Sequence, residues 1–234
     1  MSHEIRTPMN AILGYSQLML RDPLLGTDAK ANLKIMNRSG EHLLALINDV
    51  LDMSKIEAGR VELIPTTFSV SGLVDSLASM FRLRAEAKAL GFDACVEGES
   101  VPYVVADEGK LRQALINLLG NAIKFTECGW AKLRVALDRR KANRLWLSAS
   151  VVDTGSGISD DEQRKLFQPF SRIERDIHRQ EGTGLGLAIS RQYAQLMGAI
   201  SPLPAALAEV QCSGSRSRLK MVRLDWPSRR RPAA

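Results

Sequence analysis

The sequence predicts an α+β protein in which a helical hairpin precedes an α/β sandwich, and three observations lead to this prediction. Two long stretches, residues 3–20 and 28–57, repeat apolar or small residues at alternating spacings of four and three, as expected for helices that pack along one seam. Proline and glycine break the chain between them, within residues 21–26. Further on, two neighbouring stretches alternate apolar and polar residues, which is typical of paired strands with one wet face.

The hairpin carries a heptad-like seam along both of its helices. A lone hairpin leaves part of such a seam exposed to water, whereas pairing two copies into a four-helix bundle buries it. Packing of the hairpin on its own chain is the alternative, and we favour the dimer because the spacing is heptad-like. We therefore assign residues 1–58 to a dimerisation hairpin. The seam positions are Ile5, Met9, Ile12, Ser16 and Met19 in the first helix and Met36, Gly40, Leu43, Ile47, Val50 and Ser54 in the second.

A hinge and a mixed α/β region follow the hairpin. Ala58-Gly59-Arg60 indicates a joint, and we place the hinge at residues 59–66, the second domain at 67–225 and a solvated basic tail at 226–234. The patterns predict helices at 68–90, 110–125 and 188–197, strands at 60–65, 130–138, 145–152 and 219–224, and a turn at 139–144.

Composition and charge argue against several classes of protein. An apolar content of 45% and a charged content of 25% are ordinary for a soluble domain, and we expect neither a membrane span nor a signal peptide. The net charge of +6 comes mostly from residues 199–234, which contain seven basic and two acidic residues. That basic stretch contains a single aromatic residue, Trp226, and not the interleaved series that a stacking platform requires, so a nucleic-acid partner is not predicted. The cysteines Cys95, Cys128 and Cys212 lack metal-site spacing, and we expect free thiols in the cytoplasm.

The first motif, Ser2-His3-Glu4-Ile5-Arg6-Thr7-Pro8, offers a nucleophile. The neutral imidazole of His3 is a fair nucleophile near pH 7, and the neighbouring Glu4 carboxylate can fix its tautomer or accept its proton. Thr7 lies one helical turn on, on the face of His3, and Pro8 should bend the helix there. The alternative is an ordinary surface histidine near a terminus, and we favour the nucleophile because the whole string surrounds it.

The second motif, Asn117-Leu118-Leu119-Gly120-Asn121-Ala122-Ile123-Lys124-Phe125, places polar groups on one helix face. Asn117 and Asn121 are four residues apart, and Lys124 follows three residues later. Amide oxygens suit a Mg²⁺ ion that phosphates already neutralise, and a lysine can meet a phosphate as a point charge. Decoration of a polar helix face is the alternative, although two mid-helix asparagines are costly for that purpose.

The third and fourth motifs are glycine-rich. Asp153 ends a strand before Thr154-Gly155-Ser156-Gly157, where a carboxylate can accept a hydrogen bond from an adenine amino group and the glycines allow close backbone approach. Gly182-Thr183-Gly184-Leu185-Gly186-Leu187 then opens a helix, so its amides can cradle a phosphate. Neither stretch has the glycine and lysine spacing of a dinucleotide-binding loop or a P-loop.

Together and in this order, the four motifs resemble the H, N and two glycine boxes of the sensor histidine kinases of two-component signalling. The resemblance runs from Ser2 to about Gly198 and includes an F-box-like Leu166–Phe170 and a charged, lid-like stretch at 171–181. It implies a homodimeric four-helix bundle and an ATP-binding α/β sandwich of the GHKL (Bergerat) type.

The resemblance also implies the chemistry and the location. His3 would take the γ-phosphoryl group of ATP with help from Glu4, and pass it to an aspartate in the receiver domain of a response regulator. Asn121 would be the main Mg²⁺ ligand, with Asn117 and Lys124 assisting at the phosphates. Asp153 with Gly155 and Gly157, and the loop of Gly182, Thr183, Gly184, Leu185 and Gly186, would hold the nucleotide. The chain would be cytoplasmic, or the cytoplasmic part of a membrane-attached sensor kinase.

The segment after Gly198 departs from the family pattern. Prolines at 202 and 204 disfavour a central strand, but Leu219, Met221 and Arg223 alternate with Lys220, Val222 and Leu224, which predicts a last strand at the sheet edge. The rival interpretation is disorder after Gly198. This departure keeps two alternative functions open: a dimeric scaffold that has lost catalysis, and an ATPase of the same superfamily, which would carry a general-base glutamate where Asn117 stands.

Overall fold

The chain forms two compact units. A computed structural model of the protein describes residues 2–98, 103–140, 144–171, 183–197 and 217–226. The first unit comprises Met1–Val61 with Glu174–Leu185, and the second comprises Glu62–Ile173 with Gly186–Ala234. Among the described helices, none combines the length and the apolar character needed to cross a bilayer.

The first unit contains the predicted helical hairpin. Helix α1 spans Ser2–Leu20 and helix α2 spans Thr27–Glu57, which confirms both predicted helices. Leu13 and Leu33 are buried in the hairpin, and a buried hydrogen bond from Ser16 Oγ to Asn37 Oδ1 (2.6 Å) accompanies them. Most of the predicted seam remains on the surface, with Ile12 52% exposed and Met36 56% exposed. The single chain therefore leaves an apolar stripe uncovered on this hairpin, as a lone copy of a paired bundle would.

A glycine-containing cap ends α2. Gly59 has a φ of +64°, its amide donates to the Ile56 carbonyl, and the next amide, of Arg60, donates to the Lys55 carbonyl. These two bonds form a Schellman-type cap that satisfies the last carbonyls of the helix. A side chain with a Cβ is strained at such a φ, which explains why glycine occupies this position.

The second unit is a helix-on-sheet sandwich. Its described elements are β1 Thr66–Phe68, α3 Val70–Glu86, β2 Gly91–Gly98, β3 Val104–Ala106, α4 Glu108–Phe125, β4 Trp130–Arg140, β5 Arg144–Asp153, α5 Asp160–Lys165, α6 Gly186–Leu196 and β6 Ser217–Trp226. The four-stranded sheet has the order β2-β4-β5-β6, with β2 parallel to β4 and the other pairs antiparallel, while β1 and β3 form a separate antiparallel pair. Helices α3, α4 and α6 bury Leu77, Phe81, Leu115, Leu119 and Ile189, and the sheet buries Leu133, Val135 and Leu137.

Two predicted elements differ from the structure near the start of this unit. The strand predicted at 60–65 is wrong, since β1 begins only at Thr66. Pro65 has no amide hydrogen to give a strand, and the Ile64 amide donates to the Asp107 carboxylate instead of to a backbone carbonyl. The helix predicted at 68–90 is shorter, Val70–Glu86, because Phe68 pairs in β1 and the Ser69 side chain caps the helix by accepting from the Gly72 amide.

The last strand forms where the alternation predicted it, at the sheet edge, and it is longer than predicted. It pairs antiparallel with β5 over its whole length, from Ser217 opposite Asp153 to Trp226 opposite Leu145. Trp226 therefore belongs to the strand and not to the tail. A register shift inserts Val222 as an extra residue, so the strict two-face alternation predicted for residues 219–224 is wrong beyond that point. Residues 199–216 and 227–234, where the departure and the tail were predicted, lie outside the described part of the chain.

Removal of this strand should destabilise the second unit strongly. Deletion of residues 214–234 removes the backbone partner of β5 from Asp153 to Leu145, and we expect a loss of several kcal/mol from a total of about 5–15 kcal/mol. Deletion of residues 227–234 leaves every one of these pairs intact and should leave the melting temperature unchanged. Thermal melts of the two truncated chains test this, and equal melting of the longer deletion and the full chain would show that β6 contributes nothing to stability.

Candidate functional site

The predicted nucleophile lies at the start of α1. His3 and Glu4 occupy its first turn, and their side chains are not among those the structure describes. Thr7 is exposed one turn further on, and Pro8 lies inside the helix as predicted. Arg6 Nη2 donates to Asn48 Oδ1 of α2 at 3.0 Å. This bond ties the turn that carries the motif to the second helix, and it was not predicted because the two residues are far apart in the sequence.

Three described residues of the predicted glycine loop, Thr183, Gly184 and Leu185, belong to the first unit. Thr183 Oγ1 donates to Asp49 Oδ2 at 2.8 Å and accepts from the Leu185 amide at 3.0 Å. Gly184 has a φ of +70°, and Leu185 is fully buried. Burial raises the pKa of Asp49, and the hydrogen bond from Thr183 opposes that rise. Gly182 lies outside the described residues.

In the second unit, α4 holds the three predicted polar residues on one face, as their spacing predicted. Asn117 Nδ2 donates to the Gly186 carbonyl at 2.9 Å and to Ser190 Oγ at 3.1 Å, both in α6. Because these bonds use the amide hydrogens, Oδ1 is the atom of Asn117 that remains for a ligand. A Cβ on Gly186 would lie 3.3 Å from Asn117 Cγ, so glycine allows α6 to begin this close to α4.

Asn121 differs from Asn117 in its environment. It is half-buried one turn along the same face, and within the described part of the chain its side-chain amide has no hydrogen-bond partner. Lys124 follows on that face, with Nζ 4.9 Å from the centre of the Phe125 ring. A half-buried side-chain amide that has no hydrogen-bond partner among the described residues suits a ligand, since buried polar groups are normally paired.

Asp153 lies at the end of β5, where the sequence placed it. Burial raises the pKa of this carboxyl group, and the hydrogen bond from the Gly155 amide to Oδ1 (2.9 Å) opposes the rise. A Cβ on Gly155 would lie 2.9 Å from both that oxygen and the Phe125 carbonyl. Gly157 has a φ of +75°. Both predicted glycines are thus required by the backbone, one by close approach and the other by its φ.

A threonine that the sequence interpretation did not use holds the loop after Asp153. Thr154 Oγ1 accepts from the Trp130 amide at 2.9 Å and contacts the Cys128 carbonyl at 3.1 Å. Gly129, between those two residues, has a φ of +111°, and a Cβ there would collide with the Thr154 hydroxyl. These bonds therefore connect the turn before β4 to the loop after β5, at the residue that follows Asp153.

The donor set of the second unit fits a magnesium nucleotide. Neutral amide oxygens on α4, a lysine beside them and glycines that allow backbone approach are what an octahedral ion bound mainly by phosphates and water requires. Among the described residues, neither the side-chain amide oxygen of Asn121 nor that of Asn117 accepts a hydrogen bond, so both oxygens are chemically suited to such an ion. The half-buried Asp153 carboxylate, at the end of β5, is a hydrogen-bond acceptor of the kind that the sequence analysis assigned to an adenine amino group.

Two family models match the chain. One, described as histidine kinase-, DNA gyrase B-, and HSP90-like ATPase, matches residues 106–227. The other, described as the His Kinase A (phospho-acceptor) domain, matches residues 1–59. Together they cover the hairpin, α4, the sheet from β4 onwards and α6.

Curated relatives share this region at about 40% identity. The chain is 40% identical over 196 residues to the non-motile and phage-resistance protein of Caulobacter vibrioides, covering 82% of this chain and 23% of that protein. It is 39% identical over 199 residues to the sensor histidine kinase GacS of Pseudomonas protegens, covering 85% and 22%. It is 40% identical over 224 residues to the virulence sensor protein BvgS of Bordetella pertussis, covering 95% and 18%. The chain thus spans about a fifth of the length of these relatives.

Solved structures share the fold. The crystal structure of full-length ShkA in complex with AMPPNP matches 97% of this chain and 45% of that chain, with a TM-score of 0.69 and 31% identity. The histidine kinase AdeS of Acinetobacter baumannii matches 95% of this chain and 97% of that chain, with a TM-score of 0.58 and 22% identity. The hairpin-plus-sandwich architecture is therefore common to this chain and to both structures.

Proposed function

Because the chain belongs to the sensor histidine kinases and has the catalytic core of that family, we propose that it phosphorylates its own His3 from ATP and passes the phosphoryl group to an aspartate of a response regulator. The observation that carries this proposal is the polar face of α4. Asn117 is anchored to α6 through its amide nitrogen, and Asn121 one turn on is left unpaired by the described residues.

The first step forms a phosphorus–nitrogen bond. A ring nitrogen of His3 attacks the γ-phosphorus of ATP, the bond to the bridging oxygen of the β-phosphate breaks, and ADP leaves. The Glu4 carboxylate holds the other ring nitrogen and accepts the proton that the imidazole loses. In the second step an aspartate oxygen of the receiver domain attacks the same phosphorus, and the phosphorus–nitrogen bond breaks. Thr7, on the face of His3, would position a water that hydrolyses the aspartyl phosphate of the regulator and releases inorganic phosphate.

The nucleotide is held by groups of four kinds. Asp153 accepts a hydrogen bond from the adenine amino group, Lys124 meets a phosphate, and the loops of Gly155 to Gly157 and of Gly182 to Gly186 bring backbone amides to the phosphates. Asn121 and Asn117 would hold Mg²⁺ through their amide oxygens. When bound, the ion would neutralise charge that develops on the β- and γ-phosphate oxygens.

The partners follow from the same assignment. We propose that two copies pair through the uncovered apolar stripe of the hairpin, which includes Ile12, Met36 and Leu43, because a four-helix bundle would bury it. The second partner is the receiver domain of a response regulator, which would approach α1 near His3. Since ATP and receiver domains are found inside the cell, this part of the protein would act in the cytoplasm.

The pattern of ADP release tests the function. The purified chain mixed with ATP and Mg²⁺ should release about one ADP per active subunit and then stop, because the phosphoryl group stays on His3. Addition of a receiver domain should restart release. An ATPase of the same superfamily would instead release ADP continuously without a receiver, and this result would contradict the proposal. Asn117 offers no carboxylate to activate water, and its amide nitrogen is already bound to Gly186 and Ser190.

ATP affinity should depend on pH through Asp153. Its pKa is raised above the ordinary 3.8 by burial, so the carboxylate is lost at a higher pH than usual as the solution is acidified. ATP affinity should fall over that window, because a protonated carboxyl accepts the adenine hydrogen bond less well. Stability should move in the opposite direction, since the folded chain binds this proton more tightly than the unfolded chain and is destabilised as pH rises through the window.

Calorimetric titration with ATP at several pH values checks this dependence. The Asp153→Asn variant is the matched control, because an amide oxygen still accepts the hydrogen bond but does not titrate. Its affinity should be flat over the window in which the wild type loses binding. Identical pH profiles for the two proteins would mean that Asp153 does not contact the base.

A further inference from the structure

The connector between α2 and β1, residues 58–65, is held by side chains for part of its length. The cap of α2 fixes the chain as far as the Arg60 amide. From the other side, Thr66 pairs with Ala106 at the start of β1, and the Ile64 amide and the Glu62 carbonyl are each bound by a side chain of the second unit. The cap bonds end at the Arg60 amide, and the side-chain bonds begin at the Glu62 carbonyl. In this described stretch, the backbone between those two points, around Arg60 and Val61, is held by neither set.

The side chains that hold the connector are Asp107 and Lys110, at the start of α4. Lys110 Nζ lies 2.6 Å from Asp107 Oδ2, and the two side chains are only 15% and 6% exposed. Asp107 Oδ2 also accepts from the Ile64 amide at 3.0 Å, and Lys110 Nζ also donates to the Glu62 carbonyl at 2.8 Å. One ion pair, between the buried Asp107 and the half-buried Lys110, therefore binds two backbone groups of the connector.

The same pair is attached to both helices that carry the nucleotide residues. Asp107 is the N-cap of α4, since its Oδ1 accepts from the Lys110 amide at 2.9 Å, and Asn117 and Asn121 lie further along this helix. Lys110 Nζ also lies 5.9 Å from the ring centre of Tyr193 in α6, the helix that begins at Gly186. Burial alone would raise the pKa of Asp107, but the hydrogen bonds from Lys110 and Ile64 outweigh it, so the pKa of this carboxyl group lies below its usual value.

We propose that Asp107 and Lys110 are positioning residues for phosphoryl transfer, which clamp residues 62–64 onto α4 and so confine bending of the connector to Arg60 and Val61. This inference rests on the proposed function. It shortens the predicted hinge at 59–66 to two residues, and it makes α4 move together with the connector. A short hinge limits the orientations that the nucleotide helix can adopt relative to the chain that leads to His3. Loss of the clamp should therefore lower the rate of phosphoryl transfer while nucleotide binding survives.

Two variants and a matched control test the clamp. Asp107→Ser keeps a hydroxyl that can cap α4 but removes the ion pair and the acceptor for the Ile64 amide. Lys110→Met keeps the length of the side chain and removes the bond to the Glu62 carbonyl. Ser69→Ala is the control, because it removes the N-cap of α3 in the same unit without touching the connector. For each protein we would measure the melting temperature, the autophosphorylation rate at saturating ATP, the KM for ATP and the hydrogen exchange of the Ile64 amide.

If the clamp positions the site as proposed, its loss should lower the autophosphorylation rate and leave the KM for ATP nearly unchanged. Both clamp variants should lose about tenfold in rate, a loss that corresponds to about 1.4 kcal/mol. Their KM for ATP should stay within about twofold of the wild type, and Asp107→Ser should expose the Ile64 amide to faster exchange. Ser69→Ala should keep the wild-type rate even if its melting temperature falls as far as those of the two clamp variants.

Three results would overturn the inference. The first is a rate loss no larger than that of Ser69→Ala, and the second is a KM that rises in proportion to the rate loss. The third is an Ile64 amide that exchanges equally slowly in Asp107→Ser and in the wild type, which would show that no clamp exists. If the wild type formed no phosphohistidine at all, the proposed function would fail together with the catalytic role of the clamp, and the exchange of Ile64 would still show whether residues 62–64 are held.

Discussion

His3→Gln is expected to abolish autophosphorylation and to leave ATP affinity within about twofold of the wild type. The reason is that glutamine keeps a polar side chain of similar length but has no nitrogen lone pair that can attack phosphorus. The residues proposed to hold the nucleotide lie far from this position in the sequence, with Asn121 and Asp153 in the second unit. Transfer of label from ATP measures the first quantity, and calorimetric titration measures the second.

His42→Gln is the matched control for this experiment. His42 lies on α2 and is only partly buried, so the same substitution there removes an imidazole from the same hairpin without removing the proposed nucleophile. We expect this variant to label at close to the wild-type rate. Label retained in His3→Gln and lost in His42→Gln would move the phosphoacceptor to α2.

Asn121→Asp is expected to lower autophosphorylation by more than tenfold, which corresponds to more than about 1.4 kcal/mol, with little change in the melting temperature of the nucleotide-free chain. The new carboxylate has the shape of the amide but brings a negative charge beside the phosphates. Folding should be nearly unaffected, because the described residues offer Asn121 no hydrogen bond that the substitution would break.

A second variant at the same position separates loss of a ligand from added charge. Asn121→Ala removes the amide oxygen and adds no charge, so a loss of activity in this variant would assign the effect to the missing oxygen and not to added charge. A kinase rate within about twofold of the wild type in Asn121→Ala would mean that this residue is not a direct ligand of the ion. Raising the Mg²⁺ concentration should partly rescue Asn121→Ala if the amide oxygen binds the ion, whereas Asn121→Asp keeps an oxygen ligand and should gain less.

Local sequence patterns predicted the parts of the fold that depend on local spacing. The four-three periodicity of α1 and α2 and the i, i+4 placement of Asn117 and Asn121 need only the geometry of a helix, so both appeared where they were expected. The alternation of β4 and β5 likewise needs only one buried face. Strand β2 was missed because all of its residues are exposed or half-buried and it has no regular alternation over its length. Its parallel pairing with β4 is a tertiary contact that no local pattern encodes.

The contacts that sequence reasoning missed join residues distant in the chain. Asn117 was recognised as a polar residue of interest, but its bond to the Gly186 carbonyl depends on where α6 begins. In the sequence, Asp107 and Lys110 look like an ordinary helix cap. Their hydrogen bonds to the backbone of Glu62 and Ile64 depend on the pairing of β1 with β3, which brings these distant residues together. The extra residue Val222 in β6 is a similar case, since only the register with β5 reveals it.

The chemical stability of the transferred label distinguishes a phosphohistidine from a phosphoester. The purified chain would be incubated with ATP labelled at the γ-phosphate and with Mg²⁺, and the labelled protein would then be treated with acid or with base. A phosphorus–nitrogen bond to imidazole is labile in acid and stable in base, so the account predicts label that acid removes and base does not. Label that survives acid would indicate a phosphoester on a hydroxyl group, and absence of label would indicate a chain without kinase activity. Either result would contradict the assignment of His3 as the phosphoacceptor of an active histidine kinase core.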